Sequence, residues 1–451
     1  MENNPPFQMP QVPQVPAPKK KPSITMKLLV IILLIIILLI PWALLEFLIY
    51  DRERTSENAI SEVSEKWSRE QTVRGPVLYI PYQVWNGQNN VTSYLKILPE
   101  ELTYKGNVTP NMRHRGIYEV MVYESDLAVA GSFKIPEYAL TKVDPKKLEW
   151  EKAFLGVGVT DMRGIKEQVK LNLNGKDLVF NPGIEGEGLS YGSNGGISVP
   201  LEPDSLQRMP GAEWKFSFQM KLNGSKELYF EPLGKTTIVQ LSSTYRDPSF
   251  SGAFLPNKPA DIGKDGFKAE WKVLNLNRNY PQVWSDDAFN TYESRFGIDF
   301  KVPVDHYLKS ARASKYAILI IGLSFMVYFF VEILQKLRIH PFQYVLVGLA
   351  ICVFYTLLLS LSEHIGFNAG YWVSAIATIG AITMYSSWIF NNRKSTMLMG
   401  AIMTLLYGFM FVIIQLQDYA LLVGSISIFA VLLVIMWLSR KINWYEDEQQ
   451  Q

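Results

Sequence analysis

The chain has 451 residues, enough for more than one domain. Hydrophobic residues make up 48% and charged residues only 19%, so the apolar content must be concentrated in segments rather than spread through one soluble core. A net charge of +2 argues against a basic field for nucleic acid, and a single cysteine, Cys352, excludes intrachain disulfides and cysteine metal clusters.

Residues 1–23 are rich in proline, glutamine and asparagine and include Lys19, Lys20 and Lys21. They read as a disordered cytoplasmic tail. Residues 24–50 contain MKLLVIILLIIILLIPWALLEFLIY, which is long enough to span a bilayer. The run exceeds the hydrophobic region of a signal peptide and lacks a small-residue cleavage site, so an uncleaved anchor is expected. Pro41 is placed to kink it, Trp42 and Tyr50 suit an interface, and Glu46 is positioned to snorkel outward.

Residues 51–315 are polar, with 34 basic and 34 acidic side chains. In DRERTSENAISEVSEKWSREQ, Ile60, Val63 and Trp67 recur at helical spacing, which predicts a stalk helix continuing out of the anchor. The period then switches to two in GPVLYIPYQVW, GIYEVMVYESDLAVAGSFKI, WKFSFQMKL and FKAEWKVLNL. Antiparallel β structure, sandwich-like, follows from that alternation. LNGKDLVFNPG at 173–183 and LNGSKELYFEPLG at 222–234 suggest a duplicated unit built on two Asn-Gly hairpins.

Five further apolar runs cover 316–334, 341–361, 371–390, 396–416 and 419–438. The fold class is therefore α+β: a six-helix transmembrane bundle, one N-terminal anchor plus five spans in 316–438, with a large β-rich domain in 51–315 and a short tail at 439–451. Lys336 and Arg338, Arg393 and Lys394, and Arg440 and Lys441 occupy alternate connections, whereas SEHIGFNAG and QLQDY carry no Lys or Arg. Positive residues stay in the cytoplasm, so both termini are expected there and residues 51–315 in the periplasm.

Motifs for catalysis are sparse. Ser190 sits in a formal G-x-S-x-G, but in a glycine-rich loop with no helix to follow, which makes a serine hydrolase the weakest option. No P-loop, H-E-x-x-H or calcium loop occurs, and no cofactor is expected. His114 lies between two arginines and reads as a solvated loop residue, as does the pair Asp286 and Asp287. Ionisable groups at membrane depth are functional candidates by default, which selects Glu332, His340, Glu363 and His364. The Ser-Glu-His triplet has two readings: a turn at the headgroup level, or a functional pair facing a polar cavity.

The segment 315–366 resembles the CreD family of bacterial inner-membrane proteins, through Lys315-Tyr316-Ala317, Phe329 to Glu332, His340-Pro341, Gln343-Tyr344, Gly348-Leu349 and Ser362-Glu363-His364. RGPVLYIPY, DMRGI and DPSFSGAFLP extend the resemblance outside the membrane. The resemblance implies a non-enzymatic role in cell-envelope integrity and envelope stress, with links to colicin tolerance and a two-component system. The apolar runs make the lipid bilayer a partner, the small net charge argues against nucleic acid, and other envelope proteins or cell-wall components are the further partners expected. The resemblance brings no agreed catalytic residues. The alternative is a transporter or lipid-handling protein that uses polar residues at the outer face of the bundle.

Overall fold

A computed structural model describes residues 24–137, 143–184, 195–201, 210–285, 289–300, 306–335, 337–416 and 419–440. Ser190, Asp286 and Asp287 lie outside the described residues. The chain separates into two units, Met1–Arg52 with His306–Gln451, and Glu53–Asp305.

Seven helices are described: α1 (Ile24–Trp67), α2 (His306–Lys315), α3 (Ala317–Leu334), α4 (Pro341–Ile365), α5 (Phe367–Phe390), α6 (Arg393–Gln415) and α7 (Ala420–Ser439). Six helical segments, with α2 and α3 counted as one, are long and apolar enough to cross a membrane. Leu33, Ile40, Leu44 and Phe47 of α1 point outward, as side chains covered by lipid tails would. Its other face packs inward through Leu34, Leu38 and Leu45. A methyl group on Gly348 of α4 would sit 2.2 Å from Leu38, so glycine is what lets α1 and α4 approach.

SEHIGFNAG is not a loop. α4 continues through Ser362, Glu363 and His364 to Ile365, and α5 begins at Phe367. Gly366 alone joins them, with φ 83° and ψ 155°, a conformation essentially reserved for glycine.

Among the described residues the second unit holds 17 strands. They are β1 (Gln71–Trp85), β2 (Asn90–Ile97), β3 (Glu101–Arg115), β4 (Tyr118–Lys134), β5 (Phe154–Val159), β6 (Lys170–Leu173), β7 (Lys176–Val179), β8 (Asn181–Pro182) and β9 (Gly196–Pro200). β10 (Glu213–Ser225), β11 (Glu227–Phe230), β12 (Thr236–Ser243), β13 (Ser249–Gly252), β14 (Asp261–Gly263), β15 (Gly266–Leu274), β16 (Val283–Ser285) and β17 (Phe296–Asp299) complete them. One sheet has the order β13-β17-β11-β1-β5-β9-β8, with β2 on β1 and β16 on β2; the other runs β14-β15-β12-β3-β4-β10-β6-β7. Strict alternation of buried and exposed residues along most of β10 and along β15 explains why one face of the second sheet is buried. A shared core joins the sheets, for example where Tyr104 of β3 meets Phe230 of β11 at 4.9 Å between ring centres.

Three further expectations need correction. The sheets are mixed rather than antiparallel, because β1 pairs with β11 and β12 pairs with β3 in parallel. Parallel neighbours require long connections, which period-two patterning does not reveal. The first Leu-Asn-Gly does make a hairpin turn, at Asn174-Gly175 between β6 and β7, but Asn223-Gly224 lies inside β10. There a Cβ at Gly224 would fall 2.2 Å from the Tyr123 hydroxyl, so the glycine answers a close approach and not a turn. His114 is in β3, opposite Glu119, and is solvated from a strand rather than a loop.

Candidate functional site

Glu332 lies in the last turn of α3, almost wholly buried. A lone carboxylate in such a place would be costly, so its partners matter more than its exposure. Its Oε1 is 2.7 Å from Lys27 Nζ of α1, and its Oε2 accepts a hydrogen bond from Tyr344 Oη of α4 at 2.9 Å. The Glu332 side chain is 5% exposed and that of Lys27 is 26% exposed. The group therefore fastens the start of the N-terminal span to two other helices.

His340, four residues before Tyr344, is the N-cap of α4. Its Nδ1 accepts from the Phe342 amide at 3.2 Å, while Gln343 Oε1 accepts from the His340 amide at 3.0 Å. This reciprocal cap satisfies two amides of the helix start.

Glu363 and His364 are at the other end of α4, whose 25 residues span about 35 Å. Glu363 is half-buried and accepts from Tyr307 Oη of α2 at 2.9 Å. His364 is exposed, with Nδ1 3.0 Å from the Ser360 carbonyl one turn back. Glu46 accepts a hydrogen bond from Ser314 Oγ of α2, and Trp42 Nε1 donates to the Ser314 carbonyl at 3.0 Å. The four candidates thus form two clusters at opposite ends of one helix, not one site. Lys27, Tyr307 and Ser314 were not singled out from the sequence, and Tyr344 entered only through the family resemblance. Only Lys27, a cation at the mouth of an apolar run, carried a local signal.

The β-rich unit has two polar centres of its own. Arg74 of β1 places Nε 3.1 Å from Glu231 Oε2 in the interior, and the Thr291 hydroxyl donates to that same oxygen at 2.5 Å while accepting from Arg74. The second centre is Asp161, buried just after β5. Its carboxylate accepts from Arg163 Nη2 at 2.7 Å, from the Arg163 amide at 3.0 Å and from the Arg69 amide at 2.9 Å. Gln71 of β1 bonds its backbone in both directions. Close by, the Trp67 ring at the end of α1 lies under the Arg113 guanidinium, 4.6 Å from its centre.

Burial alone would raise the Asp161 pKa, but the hydrogen bonds from Arg163 and Arg69 outweigh it and hold the carboxyl at about 2 instead of 3.8. A value lowered in the folded state means stability that is present above pH 3.8 and lost as the pH falls through about 2. That shift corresponds to roughly 2 kcal/mol, which solvent around the half-exposed Arg163 reduces to about 1–2 kcal/mol. Asp161→Asn is therefore expected to destabilise the protein by about that amount at pH 7, with the difference from wild type closing between about pH 4 and pH 2. Urea unfolding of the solubilised protein across that range checks it; a pH-independent difference would refute the ionic account.

Among the described residues, no group of three or more His, Cys, Asp or Glu is arranged to hold a metal ion. Cys352 is buried within α4.

The family described as "Inner membrane protein CreD" matches residues 23–445. The protein "Inner membrane protein CreD" of Escherichia coli (strain K12) is 32% identical over 424 residues, which cover 90% of each chain. Among solved structures, a putative nutrient binding protein from Legionella pneumophila aligns at 8% identity over 51% of this chain and 74% of its own, with a TM-score of 0.21, too low to support an argument. Six membrane-length helices, a two-sheet β-rich unit and a family match across almost the whole sequence agree: the chain belongs to the CreD family of inner membrane proteins.

Proposed function

We propose that this protein contributes to cell-envelope integrity without catalysing a reaction, with both termini in the cytoplasm and residues 51–315 in the periplasm. The observation that carries the orientation is the sorting of basic residues. Arg338, Arg393 with Lys394, and Arg440 fall at one set of helix ends, while the α4–α5 joint and the connection at 416–419 have no Lys or Arg. Family membership supports the envelope role. The satisfied state of Glu332 supports a fastening role over a carrier role, because a carboxylate already bound by Lys27 and Tyr344 holds helices together and offers no vacant charge.

Alkaline phosphatase fused near residue 200 is expected to be active, and the same enzyme fused after residue 440 inactive; the reverse pattern would overturn the orientation. A strain lacking the protein is expected to leak a periplasmic marker under detergent stress and to recover with the wild-type gene. Equal leakage with and without the gene would remove the envelope role.

A further inference from the structure

The exposed face of the eight-stranded sheet carries an open groove with a volume of about 730 Å³. That is the size range of small-ligand and peptide sites, roughly 300–1,000 Å³. The floor is set by strand register. Gln219 of β10, Ala128 of β4, Lys105 of β3, Gln240 of β12 and Glu270 of β15 form one row across five strands. Five strands at about 4.8 Å spacing give a floor roughly 19 Å long, the length of about six extended residues.

One wall is the segment Lys258–Pro259–Ala260. It is fixed in place, since the adjacent Asn257 donates its amide to the Glu270 carbonyl at 2.9 Å and accepts from the Lys272 amide at 3.0 Å. Ala128 is the small residue that leaves room in the middle of the floor.

Six charged side chains line the groove: Lys105, Lys258 and Lys268, against Asp126, Asp261 and Glu270. The signs balance, which disfavours a polyanion or a polycation. Some exposed charges on this unit pair, as Lys235 does with Glu100, Lys221 with Glu167 and Arg115 with Glu62. Two of the six in the groove have a neighbour: Glu270 accepts from Gln240 Nε2 at 2.6 Å, and Asp126 stands opposite Lys221 in the ladder. Among the described residues Lys105, Lys258, Lys268 and Asp261 form no ion pair, although Asp261 stands directly opposite Lys268 in the ladder. Between the charges are Gln219, Asn107 and Ser242, whose amides and hydroxyl match peptide groups. Among the described residues no aromatic side chain lines the groove to stack on a sugar ring.

We propose that this groove binds an extended peptide segment that carries both ammonium and carboxylate side groups. Lys105 and Lys268 take its carboxylates, Asp126 and Glu270 its ammonium groups, and the neutral residues between them its backbone. The inference goes beyond the envelope role and does not depend on which side of the membrane the unit occupies.

The test uses the full chain in lipid nanodiscs and isothermal titration with three probes: an octapeptide of alternating lysine and glutamate, a blocked Ser-Gly octapeptide, and an N-acetylglucosamine hexamer. Saturable binding of the charged peptide alone is expected. Lys105→Ala with Lys268→Ala, and separately Asp126→Asn with Glu270→Gln, should each weaken it by about tenfold or more. All four positions are exposed strand residues, and a far-UV spectrum matching wild type establishes that each variant is folded. Failure of the charged peptide to bind at millimolar concentration would overturn the proposal. So would equal binding of the neutral peptide or the glycan, or binding that neither double variant changes.

Discussion

Lys27→Met is expected to lower the unfolding free energy of the detergent-solubilised protein by about 3 kcal/mol, and Glu332→Gln by only about 1 kcal/mol. The asymmetry comes from what each change leaves behind. Without Lys27, a carboxylate that is 5% exposed loses its counter-charge and keeps only the Tyr344 hydroxyl. Without the Glu332 charge, Lys27 is still a quarter exposed and has a flexible stem on which to reach water or headgroups. Thermal unfolding of the two variants and of the double variant checks this. The double variant should resemble Glu332→Gln, since the uncompensated charge is then gone. Equal effects of the two single changes, or no effect of either, would show that the pair does not fasten α1.

The largest effect is expected in the β-rich unit. Glu231→Ala should cost about 3–5 kcal/mol, the range for breaking a buried ion pair from one side. Glu231 is 3% exposed and Arg74 is 13% exposed, so neither group has a ready route to water. Thr291 would lose the acceptor of its hydroxyl at the same time. Arg74→Met combined with Glu231→Leu should recover most of the loss, because two apolar side chains need no partners there. Urea unfolding followed by tryptophan fluorescence provides the measurement. A double variant as unstable as Glu231→Ala would mean that packing, not charge, sets the cost.

The sequence showed the six spans because apolar runs of that length match the thickness of a bilayer. It showed the β-rich unit through period-two strands such as WKFSFQMKL in β10. It failed where the deciding contact is distant in the chain. Lys27 and Glu332 are 305 positions apart, and nothing local marks either as the other's partner. Ser-Glu-His read as a turn because three polar residues interrupt an apolar run. The helix instead runs on to Ile365, and Tyr307, 56 positions away, donates to Glu363. Asn223-Gly224 read as a hairpin because positive φ is the commoner reason for that dipeptide. The Tyr123 ring across the ladder provides the other reason. In each case the pattern was real, and the partner was invisible.

The single residue between α4 and α5 also limits how the topology can be probed. An epitope, a protease site or a labelling cysteine needs several residues of slack, and Gly366 provides none. An insertion there would have to unwind a turn of one helix, and with it the Tyr307–Glu363 contact. A negative result from such a tag would report a broken hairpin, not a hidden surface.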